Sequence, residues 1–80
     1  MKTVTIELED PKSDIWQRLP PVCQNLLANK ALDAILNGTP YPTGGDQLEL
    51  AIELAENGVN ADVISKISRL HRSVFESFLP

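Results

Sequence analysis

Residues 48–79 read LELAIELAENGVNADVISKISRLHRSVFESFL. Apolar side chains recur there at three- and four-residue spacing, interrupted at Gly58 and again around Arg69. That is the pattern of successive amphipathic helices separated by tight turns. Asp46 followed three residues later by Glu49 is close to a capping box and marks the first helix, which runs to about Asn57 and stops at Gly58. Leu48, Ala51, Ile52 and Ala55 form one face of it, widened by Leu50 and Leu54; Glu49, Glu53 and Glu56 share the opposite face. Asn60 caps a second helix over 61–67, Ser68, Arg69 and Leu70 make a short turn, and 71–79 form a last helix with Phe75 and Phe78 inward. The fold class that follows is mainly α.

Upstream, Val4, Ile6 and Leu8 alternate with Thr3, Thr5 and Glu7, the two-residue period of a short N-terminal β-strand. No second run of this kind occurs, so the expected partner is the same strand of another copy, in a homodimer; a frayed arm packed on a helix is the alternative. Ser13 is placed to cap a short helical turn through Arg18 that carries Ile15 and Trp16. Pro20 and Pro21 end it, and a helix over 21–36 follows with Val22, Cys23, Leu26, Leu27, Ala31, Ala34 and Ile35 as its apolar stripe and Gly38 as its stop. Residues 39–45 are a Pro- and Gly-rich loop. The 80 residues make one domain: a strand-plus-helix dimerisation region, 1–38, and a trihelical region, 46–80.

Composition excludes several classes. No run of 18 apolar residues exists to span a membrane, and residues 1–5 have no secretory character. One Cys and one His do not build a zinc site, and Gly44-Gly45 lacks the spacing of a phosphate loop. A cytoplasmic, cofactor-free protein that is not an enzyme is the expectation. Cys23, on the apolar stripe, reads as a buried inert thiol. The net charge of −4 removes bulk attraction to nucleic acid. The charge is uneven, however. Residues 46–60 carry four carboxylates and no base, whereas 61–80 carry Lys66, Arg69 and Arg72 against Asp62 and Glu76.

The segment Glu53 to Leu79 resembles the helix-turn-helix at the end of resolvases and in small prokaryotic antitoxins. Ile64 and Ser65 supply the apolar anchor and small neighbour such a unit needs, Leu70 the inward turn residue, and Phe75 and Phe78 the inner face of its last helix. Two positions depart from the pattern. Ser68 stands where an apolar residue is usual, and Arg69 where Gly is usual, so a turn of different construction is expected. Residues 2–8 are similar to the opening strand of ribbon-helix-helix antitoxins and repressors, read here as a dimerisation device.

The resemblance implies a DNA-binding regulator, an antitoxin or autorepressor, with Arg69, His71, Arg72, Ser73 and Ser77 toward the groove and Lys66 on backbone phosphate. The basic cluster is open to a second reading, an ion-pair network with Asp62 and Glu76, and His71 to another, a helix-start residue satisfied locally. The stripe of Glu49, Glu53 and Glu56 is a solvated face or the docking face for a basic protein such as a toxin. Trp16 belongs to the core or anchors that partner. The competing function class is therefore an acidic protein–protein adaptor or inhibitor that does not bind DNA.

Overall fold

A computed structural model describes residues 2–80. Among the described residues five α-helices follow one another: α1 (Lys12–Gln17), α2 (Pro21–Asn37), α3 (Gly45–Glu56), α4 (Ala61–Ser68) and α5 (Arg72–Phe75), the last continued by a 3₁₀ turn over Glu76–Phe78. Among the described residues there is no β-strand, which corrects the expectation for residues 3–8. A strand exists only as part of a hydrogen-bonded ladder, and this chain holds no second run to complete one. Val4 and Ile6 are exposed, and Leu8 alone of the alternating set is half-buried.

Local chemistry sets the helix ends. At the end of α2, Gly38 adopts φ +69°; its N–H donates to the Ile35 carbonyl (3.2 Å) and the Thr39 N–H to that of Ala34 (2.9 Å). The same pair of reversed bonds closes α3, where Gly58 takes φ +79°, the Gly58 N–H meets the Ala55 carbonyl (3.0 Å) and the Val59 N–H that of Leu54 (3.0 Å). These are Schellman closures, and Val59 and Leu54 are both buried, as the accompanying apolar contact requires. Asn60 then accepts the Asp62 N–H at 2.9 Å and starts α4, as expected. Two expected caps differ. The first helical bonds of α3 run to Thr43 and Gly44, so Gly44 is the N-cap and Asp46 lies inside the first turn, where its carboxylate suits the positive end of the helix dipole. Ser13 lies within α1, its hydroxyl donating to the Asp10 carboxylate.

The core gathers Leu50, Ala51, Leu54 and Ala55 of α3, Val63 and Ile64 of α4 and Phe75 of α5, with Leu19, Cys23 and Val59. Leu50 and Leu54 are its centre, whereas Leu48, expected inward, is exposed. Ala51 and Ala55 are fully buried one turn apart, so α3 presents little bulk where α4 and α5 pack on it. Phe75 fulfils its inward role; Phe78 does not, because the helix narrows to a 3₁₀ turn and the chain leaves it extended at Leu79, which packs against the core instead. The last helix is thus one α-turn and one 3₁₀ turn, not a single helix over 71–79. On α2, Cys23 and Ala34 are buried, but Val22 and Ile35 of the expected stripe face outward.

The turn between α4 and α5 is left-handed after all: Arg69 has φ +62° and ψ 28°. Cβ crowding makes this conformation cost a non-Gly residue about 1–2 kcal/mol. Side-chain bonds offset it. The Arg69 guanidinium donates to the Pro42 carbonyl, and the Gln47 side-chain amide donates to the Ser68 carbonyl at 3.0 Å. Both tie the turn to the start of α3. Arg69→Ala keeps the strained φ and loses the bond, whereas Arg69→Gly loses the bond but relieves the strain. Urea denaturation is expected to show Arg69→Ala destabilised by about 1–2 kcal/mol and Arg69→Gly by less; the reverse order would show that the guanidinium contributes nothing.

Candidate nucleic-acid interface

Lys66 stands in the last turn of α4, Arg69 caps that helix, and Arg72 opens α5. All three are exposed. Among the described residues the one ion pair is Arg18 with Asp14, at 3.2 Å on the far segment α1. The ion-pair network of these cations with Asp62 and Glu76 is therefore not formed. The three are not equivalent, though. The Arg69 guanidinium is held by the Pro42 carbonyl, so it fixes the turn, while Lys66 and Arg72 have no protein partner among the described side-chain bonds.

His71 is the N-cap of α5. Its Nδ1 accepts the Ser73 N–H at 3.2 Å and lies 2.9 Å from the Ser73 hydroxyl. This is the locally satisfied helix-start residue, and it engages Ser73 at the same time. Ser77 is exposed on the 3₁₀ turn. The sequence-assigned residues thus lie along one stretch, residues 66–77, at the end of α4 and through α5. An α5 of four residues is about 6 Å long, too short to lie along a major groove.

The better-formed pair of helices lies one step earlier. α3 and α4 pack on each other through Leu50, Leu54, Val63 and Ile64. They are joined by the four residues 57–60, with Gly58 left-handed. A helix-turn-helix is built of two packed helices with a short Gly-containing turn; in such an arrangement α4 takes the second place. Its outward residues are Asp62 and Lys66, with half-buried Ser65 beside them and Asn60 at its start. Sequence reasoning placed the turn's usual Gly at Arg69, between α4 and α5; Gly58, with Asn60 two residues on, offers a second place for it between α3 and α4.

Glu49, Glu53 and Glu56 come together as expected, and the fold adds to them. With Asp46, Tyr41 and Lys30 they line a groove of about 420 Å³ between α2 and α3. Burial and then the charges of Asp46 and Glu49 push the Tyr41 phenol up from its usual value. Trp16 is not part of this groove: it is half-buried, packs against the core, and accepts the Gln24 side-chain amide on its carbonyl at 2.9 Å. Cys23 is buried, and burial first and Glu53 second push its thiol up, the opposite of an activated nucleophile. Among the described residues no cluster of His, Cys, Asp or Glu fits a metal ion, and no helix is long and apolar enough to cross a membrane. Set against protein-family models, curated proteins and solved structures, the chain matches none of them.

Proposed function

We propose that the chain is a small DNA-binding regulator, an antitoxin or autorepressor working in the cytoplasm, in which α3 and α4 form the helix-turn-helix. The observation that carries this reading is Lys66 and Arg72, exposed and free of ion-pair partners among the described residues, beside a packed helix pair joined through left-handed Gly58. Exposed ion pairs contribute only about 0–1 kcal/mol, and here even that structural reason for the cations is missing. Lys66 and Arg72 contact backbone phosphates and position α4. Asn60, Asp62 and Ser65 then meet base edges, the carboxylate accepting from a cytosine amine. His71, Ser73 and Ser77 border the same phosphates, and Arg69 acts through the turn it holds.

Contact and positioning roles separate in a salt titration of duplex binding between about 50 and about 200 mM. The double variant Lys66→Ala/Arg72→Ala is expected to bind about 10–100-fold more weakly at low salt, with a salt slope shallower by about 2. Arg69→Ala is expected to keep the slope. An unchanged slope in the double variant would overturn the assignment of phosphate contacts.

The acidic groove favours a second reading, an adaptor or inhibitor that takes a basic protein segment against Asp46, Glu49, Glu53 and Glu56. It is distinguished by binding of a lysine-rich peptide that Glu49→Lys/Glu53→Lys abolishes, with no duplex binding at low salt.

A further inference from the structure

α2 is the longest helix, yet only Cys23 and Ala34 of its 17 residues are buried. Opposite them, Leu32, Ile35 and Leu36 are 58%, 71% and 83% exposed. They stand at i, i+3 and i+4 and continue through Ala28 to Asn29 and Asn25, so they form one stripe along the helix. A stripe of large aliphatic residues facing water is the pattern of a helix with a missing partner.

We propose that this face pairs with the same face of a second copy, forming an isologous dimer through two antiparallel α2 helices.

Charge points to the same occupant. The chain is net −4, but residues 21–37 carry only Lys30 and Asp33 and are neutral, so two acidic copies meet there without repulsion. A basic partner would be drawn to the acidic groove instead. Antiparallel pairing also sets each helix N-terminus beside a C-terminus. That supplies the dipole compensation α2 lacks, since it has no acidic residue in its first turn and no basic residue in its last. Ala28 leaves a hollow for the large side chains of the second copy. Asn25 and Asn29, whose amide is tied to the Asn25 carbonyl at 2.7 Å, place polar groups in the seam that fix its register. α2 spans Pro21–Asn37, so setting each N-terminus beside a C-terminus puts the two-fold axis near Asn29.

Sedimentation of the full chain at up to ~100 µM is expected to give twice the monomer mass. Leu36→Glu, a change at an exposed position, is expected to weaken the dimer at least about 100-fold with the helical circular dichroism kept. Asn29→Cys, near the axis, is expected to cross-link copies on mild oxidation, whereas Leu48→Cys on α3 is not. A wild-type monomer at ~100 µM, or a dimer that survives Leu36→Glu with Asn29→Cys failing to cross-link, overturns the proposal and leaves the face to a different chain. No DNA is needed, so the result stands apart from the function proposed above.

Discussion

Phe75→Ala is expected to cost about 3–5 kcal/mol, the usual loss when a buried aromatic side chain leaves a cavity. The ring is fully buried, and it is the one deep anchor of α5, which has only four residues to hold it. An 80-residue domain has a total stability on the order of 4–12 kcal/mol, so one such loss brings the chain close to its unfolding midpoint at room temperature. Urea melts followed by far-UV circular dichroism measure it. A loss below about 1 kcal/mol would mean that the segment after α4 is not packed on α3. Phe78→Ala, at an exposed position of the next turn, is expected to be nearly neutral by comparison.

Ser68→Leu is the second large effect, and it runs against the expectation from the helix-turn-helix likeness, where an apolar residue is usual. Ser68 is fully buried. Its hydroxyl donates to the Ile64 carbonyl at 2.7 Å and accepts the Leu70 N–H at 3.3 Å. The hydroxyl therefore bonds the last turn of α4 and supplies a partner to the first N–H after the left-handed residue. Leucine adds three carbon atoms to a filled site, at about 1–3 kcal/mol, and strands the Leu70 N–H, at about 1–3 kcal/mol more. A combined loss of about 2–5 kcal/mol is expected in the same melts. Stability equal to or above wild type would show that the position is an ordinary core site and that the hydroxyl bonds are incidental. Ser68→Ala, which removes the bonds without overfilling, is expected to fall between the two.

The parts of the fold that rest on short-range chemistry were legible. α4 follows from Asn60 and from Val63, Ile64 and Ile67, and its bounds differ from the sequence reading by one residue. The ends of α2 and α3 follow from Gly38 and Gly58. What depended on distant partners was not legible. The alternation in residues 3–8 is a real strand pattern, but a strand needs a ladder, and nothing local reports whether one exists. Arg69 looks wrong for a left-handed turn when only its neighbours are considered; its hydrogen-bond partner, Pro42, is 27 residues away. The last helix was read too long because its apolar spacing continues through Phe78, while its real extent is set by where Phe75 and Leu79 meet the core.

The candidate site was legible to the same degree. The cations Lys66 and Arg72 and the acidic stripe were found from charge and spacing alone. That Arg69 serves the turn and that Tyr41 joins the stripe across a groove follow from the path of the loop over residues 38–44, for which no periodicity exists. Two turns in succession adopt left-handed geometry, at Gly58 and at Arg69, so spacing alone offers two places for the turn of a helix-turn-helix.

The most direct measurement of the central claim is selection from a random duplex DNA pool with the purified protein at about 50 mM salt, followed by titration at about 200 mM. Enrichment of a motif, bound far more weakly at the higher salt and dependent on Lys66 and Arg72, is the expected result. If the protein dimerises through α2, the motif has two-fold symmetry. No enrichment even at the lower salt contradicts the account.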